Sequence, residues 1–462
     1  MKRLLFTFLL ISGSMSLHGQ TADTLSFETY LEWVKAYHPI SAQADIVLTM
    51  GDMEVRTARG NFDPLLFGNL DKKSYDEKTY YEKREAGISI PTWAGIELNG
   101  AFEQNSGQYL NPENSVPSGG LFSAGASVNL GQGLILDDRR AGLRKAQIYQ
   151  QSTESERKNL LNELYLQASS AYWNWSLAHA NKALQAEGVA LARTRFEAVK
   201  ISYEQGDFPA IDTVEASSQL LNREYYLQEA ENELFVRTQE LNNFLWDETG
   251  NPIALDQGIL PEDLYSDQLL ILNEEELRVM ISDHPELMLA DFELASLDVD
   301  RRLKAQQILP VVKLKYNFLT ESLNQFDQAN FFENDYKWGL TVYTPLMWRK
   351  ARGGMRLAEA KINFKQNSRQ LKELQLRTKL ENELNGWTVI NSQISTYTRN
   401  VEALEMLLQG ELRKFQIGES SLFLVNTREV SVFSSRITLN ELLTKRKISF
   451  AKTRYAAGVG FE

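Results

Sequence analysis

Several short segments of the chain alternate apolar and polar residues with a period of two. Between residues 122 and 130 the even positions are apolar and the odd positions carry Ser, Gly or Asn. The same alternation recurs in 96–103, 312–318 and 337–342. Period two is the signature of a β-strand with two unlike faces. These segments are therefore predicted to be strands, either between lipid and a wet lumen or in a soluble sheet solvated on one face.

Long segments almost free of Gly and Pro separate these strands. They predict three helices in each half of the chain, which are Leu25–Arg59, Ala141–Gln205 and Ala210–Trp246, then Glu274–Gln307, Gly353–Gln416 and Leu422–Tyr455. At a rise of 1.5 Å per residue, a helix of roughly 60 residues is about 90 Å long. Compact globular domains do not use helices of that length. The pattern indicates a coiled coil or a tube of helices.

The two sets of helices belong to an internal duplication. His38-Pro39 recurs as His284-Pro285 at an offset of 246, and Trp175 and Gly206 recur as Trp387 and Gly418 at an offset of 212. Matched Pro, Gly and Trp residues are harder to obtain by chance than matched Leu or Glu. The sequence therefore predicts a signal segment in 1–20, repeats in 21–246 and 273–462, and a linker in 247–272.

The change of offset indicates an insertion of 34 residues between Pro64 and Arg140. Pro91–Gly95 has the composition of an extra hairpin turn, and Tyr109–Gly120 that of a polar loop. Two strands per half is the default expectation, and four strands in the first half is the alternative. Either number is too small for one chain to close a barrel, and lipid does not tolerate an open sheet edge. Three copies would close about twelve strands, or about eighteen with the insertion.

Composition narrows the possible functions. Lys2 and Arg3 precede an apolar run from Leu4 to Ile11, which is typical of a secretory signal cleaved near Gly19 or Gln20. Without Lys2 and Arg3, 47 basic residues face 61 acidic ones, a net charge of −14. An acidic chain without a basic stripe is a poor nucleic-acid binder.

Candidate chemistry is sparse. The chain has no Cys and four His, one of them in the predicted signal. No phosphate loop, zinc-type motif or nucleophile elbow is found. The sequence therefore predicts no catalytic residues, no metal site and no cofactor, so the protein is expected not to be an enzyme.

The most specific motif surrounds the turn between the two long helices of each half. Tyr203-Glu204-Gln205-Gly206 is followed by Asp212 and Ala216, and the second copy is Phe415-Gln416-Ile417-Gly418. This pattern, together with the His-Pro pairs, resembles the TolC-like family of outer-membrane efflux proteins over nearly the whole mature chain. The resemblance implies an α+β membrane protein in the outer membrane. A transmembrane β-barrel completed by trimerisation would continue into a long periplasmic α-helical barrel.

The same resemblance implies a function and partners. The homotrimer, held in outer-membrane lipid, would be the passive exit duct of a tripartite efflux or type I-like secretion system. A periplasmic adaptor and an inner-membrane pump would join it at the two helical turns. The candidate docking residues are Gly206, Asp207 and Phe208 in the first turn, and Gly418, Glu419 and Ser420 in the second.

Local chemistry supports turns at these points. Gly206 and Gly418 suit the left-handed position that ends a helix. Asp207 is expected to cap the next helix, with Pro209 in its first turn, and Ser420 or Ser421 to cap in the second copy.

Asp212 and Glu215 form a candidate acidic constriction just past the first turn. They lie three residues apart on one helix face, and three copies would place six carboxylates around a pore. The family's gating acids usually follow the second turn, where this chain has Leu424 and Thr427. A solvated acidic helix face explains the pair equally well. For the whole chain, the competing hypothesis is a periplasmic coiled-coil scaffold or adaptor protein.

Overall fold

The computed structural model describes residues 24–256, 258–266, 272–321 and 335–461. The predicted signal, 1–20, lies outside the described residues. The eight α-helices of the described chain are α1 (Phe27–Tyr37), α2 (Pro39–Gly60), α3 (Asp138–Glu204), α4 (Ala210–Asn242), α5 (Glu274–Met280), α6 (Pro285–Gln306), α7 (Arg349–Gln416) and α8 (Leu422–Ala456). The described strands are β1 (Thr24–Leu25), β2 (Leu65–Tyr75), β3 (Lys78–Pro91), β4 (Ile96–Ser106), β5 (Leu121–Asn129), β6 (Leu260–Pro261), β7 (Val311–Thr320) and β8 (Tyr336–Tyr343).

Both halves follow one order: a broken helix, strands, a very long helix, and a shorter helix that returns. The long helices α3 and α7 contain 67 and 68 residues, so each is about 100 Å long. Within the chain α3 packs against α4 and α8, and α8 packs against α7. The four long helices therefore lie side by side in the order α4, α3, α8, α7, with α4 and α7 at the two outer edges.

The prediction of one continuous first helix in each half is wrong, because a His-Pro pair divides that helix in two. A residue before Pro is driven out of the helical region by the Pro ring. His38 accordingly has φ −68° and ψ 137°, and His284 has φ −58° and ψ 130°. Each His then becomes the N-cap of the following helix. The apolar periodicity continues across the break, which is why the sequence pattern predicted one helix.

Six antiparallel strands form one sheet in the order β2-β3-β4-β5-β7-β8. The expectation of two strands per half is therefore wrong for the first half, which contributes four. The 34-residue insertion supplies an additional hairpin, with its turn between Pro91 and Ile96, and the longer loop before Leu121. Cross-strand pairing joins the halves, since β5 pairs with β7 from Phe122–Thr320 to Asn129–Lys313.

The register gives the sheet one apolar and one polar face, because paired residues share a face. The apolar face carries Ile88, Leu98, Phe102, Phe122, Ala124, Ala126, Val128, Leu314, Tyr316, Phe318, Trp338 and Leu340. The polar face carries Glu85, Glu97, Asn99, Glu103, Ser123, Ser127, Lys313, Lys315, Asn317 and Lys337. From residue 122 to residue 130 the apolar positions extend about 27 Å along the strand, at about 3.4 Å per residue.

The largest hydrophobic cluster lies where α3 passes the short N-terminal elements. Tyr172, Trp173 and Trp175 are buried there with Tyr30. The Tyr172 hydroxyl donates to the Leu25 carbonyl at 2.6 Å and accepts from the Glu262 backbone N–H at 3.0 Å. The predicted linker is thus partly structured: its strand β6 pairs with β1, and its Leu264 is 2% exposed in this cluster. The aromatic cluster therefore packs α3 against the N-terminal elements.

Four edges of the chain leave apolar side chains in solvent. On the edge strands, Leu66 of β2 is 83% exposed and Trp338 of β8 is 59% exposed. On the outer helices, Phe235 of α4 is 64% exposed and Phe364 of α7 is 74% exposed. Both edges of the sheet and both edges of the helical layer therefore expose apolar surface that is suited to further packing.

Candidate channel wall and helical tips

Two side chains on the polar face of the sheet bond to each other across an intervening strand. The Asn99 side-chain amide on β4 donates to the Asn317 side-chain oxygen on β7 at 3.0 Å. Gly125 of β5 lies between them, and a Cβ at that position would be 2.5 Å from the Asn317 oxygen. A glycine is therefore required there so that the two amides can meet.

The two helical turns have matching geometry. Gly206 and Gly418 have φ +86° and +79°, and no atom outside the local chain lies within 4 Å of a Cβ built on either. The Asp207 N–H donates to the Ser202 carbonyl at 2.9 Å, and the Glu419 N–H donates to the Lys414 carbonyl at 2.8 Å. These are the bonds of a Schellman ending, so both glycines terminate their helices as predicted.

The predicted caps hold only in part. Pro209 is itself the N-cap of α4, without a side-chain capping bond, so Asp207 does not cap this helix. In the second copy the Ser421 hydroxyl accepts from the Leu424 N–H at 3.4 Å. Ser420 instead bonds the Glu411 carboxylate at 2.5 Å. A proline can serve as the cap because its fixed φ of −72° suits the extended position before a helix.

A buried polar network crosses α3, α4 and α8 just above the turns. Arg195 donates two hydrogen bonds to the Glu429 carboxylate, at 2.6 and 3.0 Å. Arg195 also donates to the Asn426 side-chain oxygen at 3.1 Å, and the Asn426 amide donates to the Glu215 carboxylate at 3.0 Å. Asn426 and Glu429 are only 4% and 6% exposed. The network therefore joins three helices through largely dehydrated groups.

Arg223 of α4 adds a second cation beside this network. Its guanidinium stacks over the Phe433 ring at 4.3 Å. Burial lowers the pKa of Arg223, whereas the nearby Glu429 carboxylate acts in the opposite direction. The sequence alone does not reveal this network, because Arg195 and Glu429 lie 234 residues apart. The duplication offset is the only signal that brings the two turns into register.

Asp212 and Glu215, the two predicted constriction residues, have different surroundings in the structure. Glu215 is turned toward α8, where Asn426 engages its carboxylate. Asp212 is half-buried in the first turn of α4, and the corresponding part of α8 holds Leu424 and Thr427.

The duplicated histidines are equivalent in the fold. The Nδ1 atom of His38 accepts from the Ile40 N–H, and that of His284 accepts from the Glu286 N–H, both at 3.2 Å. The backbone carbonyls of Asn243 and Tyr455 are the further partners of the two rings. Burial lowers the pKa of both residues, that of His284 to about 4. Each neutral imidazole therefore ties the start of one helix to the end of another.

Among the described residues, no group of three or more His, Cys, Asp or Glu side chains is placed to hold a metal ion. Within the same described ranges, no helix combines the length and apolar character needed to cross a bilayer.

Solved structures of outer-membrane channels match nearly the whole chain. The outer membrane protein VceC from Vibrio cholerae is 13% identical with a TM-score of 0.68, over 94% of this chain and 96% of VceC. The Campylobacter jejuni CmeC outer membrane channel is 12% identical with a TM-score of 0.66, over 100% and 95%. The open state of the Neisseria gonorrhoeae MtrE outer membrane channel is 12% identical with a TM-score of 0.67, over 98% and 95%.

Sequence comparison adds nothing to this: no protein-family model matches the chain, and no curated protein sequence matches it. At these identities the structural likeness establishes the fold. The chain has the fold of the TolC-like outer-membrane channels, as its turn motifs and duplication predicted.

Proposed function

We propose that the chain is one subunit of a homotrimeric exit duct in the outer membrane, which conducts substrate passively to the exterior. The observation that carries the proposal is the two-faced sheet with open edges, continued by a helical layer with open edges. A sheet with one apolar and one polar face fits a wall between lipid and water. Lipid does not accept unpaired strand edges, so β2 and β8 must find partners.

Three copies satisfy both layers at once. The β8 edge of one subunit would pair with the β2 edge of the next, and α4 would pack beside the next α7. Six strands and four long helices per chain then give eighteen strands and twelve helices. Eighteen strands lie within the range of outer-membrane barrels. The exposed Leu66, Trp338, Phe235 and Phe364 would all become contacts with lipid or with a neighbouring subunit.

The polar face would line the duct, and the helical turns would form its periplasmic end. We propose these turns, Gly206-Asp207-Phe208 and Gly418-Glu419-Ser420, as the contact points for a periplasmic adaptor coupled to an inner-membrane pump. Their support is their position at one end of the longest helices and the exposure of Gly206, Asp207, Gly418 and Glu419, whereas Phe208 and Ser420 are partly buried. Asp212 is proposed as an acidic group near the pore, with Glu215 behind it in contact with α8.

Fractionation and cross-linking test the duct. The mature protein should need detergent for extraction from outer membranes and should cross-link as a trimer. A chain released without detergent as a monomer or dimer would contradict the proposal. That outcome would favour the periplasmic scaffold or adaptor hypothesis, with the strands forming a soluble sheet.

Photo-crosslinking residues tests the docking turns. Such a residue at position 207 or 419 should capture an adaptor-type periplasmic protein in cells, whereas one at position 78 in the β2–β3 hairpin should not. Equal capture at all three positions, or none at the two turns, would refute the docking assignment.

A further inference from the structure

The loop that follows β4, residues 107–120, lies against the polar face of the sheet; we refer to it as the inner loop. Asn105 is on that face, paired with Lys83, and its side-chain amide donates to the Asn114 carbonyl of the loop at 2.9 Å. The Tyr109 N–H donates to the Tyr80 carbonyl at 3.0 Å, and the two rings lie 4.7 Å apart. The loop is thus attached at two points instead of extending freely beyond the strands.

A concave cavity of about 480 Å³ shows which side of the sheet the loop covers. Glu113, Ser115 and Val116 of the loop line it together with Asn99, Glu103 and Lys315, which belong to the polar face. A loop directed away from the barrel, or over the apolar face, would not share a cavity with these side chains. The inner loop therefore overhangs the surface that we assign to the duct.

The width of the proposed barrel determines how much space the three inner loops leave between them. Eighteen strands spaced about 4.8 Å apart and tilted by about 40° form a barrel about 36 Å across, against about 24 Å for twelve strands. A layer of polypeptide on the wall lies about 10 Å inside it. Three inner loops would then leave about 16 Å between opposing loop backbones.

We propose that the three inner loops form the narrowest part of the outer mouth and set the size of the cargo that leaves the barrel. This inference rests on the proposed trimeric duct and goes beyond it. A folded domain of about 100 residues has a radius of gyration of about 13 Å and is too wide for the passage. The cargo class is therefore small molecules or extended polypeptide, and not folded domains.

The absence of Cys from the chain makes a direct test possible. Lys313→Cys places a thiol on the polar face, far along the strands from the inner loop, and Lys78→Cys places one in the exposed β2–β3 hairpin. Intact cells are treated with a small maleimide or with a polyethylene-glycol maleimide whose coil is wider than the passage. The measurement is repeated after residues 108–119 are replaced by Asn-Gly. It is repeated again in Asn105→Ala/Tyr109→Ala, which keeps every strand and the backbone bond from the Tyr109 N–H to Tyr80 but removes the Asn105 side-chain bond and the contact between the two tyrosine rings.

We expect the small reagent to label Lys313→Cys. We expect the wide reagent to label Lys313→Cys about tenfold more slowly than it labels Lys78→Cys, as size exclusion in a pore requires. Both loop variants should remove that difference. Equal rates for the wide reagent in the native-loop background, or no change in either loop variant, would overturn the proposal. If Lys78→Cys reacts only after lysis, the outer-membrane location itself is wrong and the inference fails with it. If Lys78→Cys reacts on intact cells but Lys313→Cys excludes even the small reagent, the location stands and the polar face is not an open duct.

Discussion

Removing the carboxylate charge of Glu429 should loosen the lower part of α8. In Glu429→Gln, the side chain that faces Arg195 keeps its size and shape, but the bidentate ion pair that joins α3 to α8 is lost. Arg223, whose pKa burial already lowers, loses the nearby negative charge that favours its charged form. Two guanidinium groups would then lie in a largely dehydrated region without this counter-charge.

The magnitude follows from burial. Breaking a buried pair by removing one partner costs about 3–5 kcal/mol, because the remaining charge stays uncompensated. Arg195 is 19% exposed on its side chain and Glu429 8%, so the lower end, about 3 kcal/mol, is expected. The control is Glu224→Gln, which breaks an exposed 2.8 Å pair between Glu224 of α4 and Arg193 of α3. Those side chains are 36% and 63% exposed, and such pairs are worth about 0–1 kcal/mol.

Amide hydrogen exchange of the purified protein reports this locally, because exchange follows the free energy of local opening. A loss of 3 kcal/mol should accelerate exchange in peptides covering 422–436 about 100-fold, whereas the control should stay within about fivefold. Exchange in the β-strands should not change in either variant. An equal acceleration in both variants, or less than about fivefold in Glu429→Gln, would refute the assignment of a buried network.

Three further predictions concern the histidine ties and the glycines. Burial lowers the pKa of His284 in the folded protein to about 4. Between pH 6.5 and 4 the unfolded chain therefore binds more protons than the folded one, and the free energy of unfolding should fall by up to about 3 kcal/mol as the pH drops through this range. In His284→Asn, which keeps a capping oxygen, denaturant midpoints should lose much of that pH dependence, and an unchanged slope would contradict it. Gly206→Ala at φ +86° should cost about 1–2 kcal/mol. Gly410→Ala, inside α7 with free space around it, should instead stabilise by up to about 1 kcal/mol in the same unfolding assay, and equal signs would refute the turn geometry. Gly125→Ala should lower the yield of heat-resistant trimer, because its Cβ would lie 2.0 Å from a backbone oxygen of β7. Gly100→Ala, where the nearest atom is 3.6 Å away, should leave the yield unchanged, and a loss in both would point to a general intolerance of the sheet.

The sequence was sufficient for the helices and their turns. Long runs almost free of Gly and Pro have few alternatives to helix, and Gly206 and Gly418 each stand just after the end of such a run. The break at His38 was missed, since the apolar stripe continues through it while only the backbone before Pro changes.

The extra hairpin was harder to predict. Beyond Leu70 the β2 and β3 strands turn polar on both faces, where Lys72 pairs with Glu82 at 3.2 Å. Period two is then lost as a signal. The buried network was out of reach for another reason. Its members join α3, α4 and α8 across more than 200 residues, and no local pattern marks which charges meet.

The most direct test of the trimeric duct is to image the purified protein in a lipid nanodisc by electron cryo-microscopy. The account predicts a three-fold particle with an eighteen-stranded barrel, seams between β8 and the neighbouring β2, and twelve long helices continuing from it. A monomeric particle, or a barrel closed by twelve strands with β3 and β4 outside it, would contradict the account.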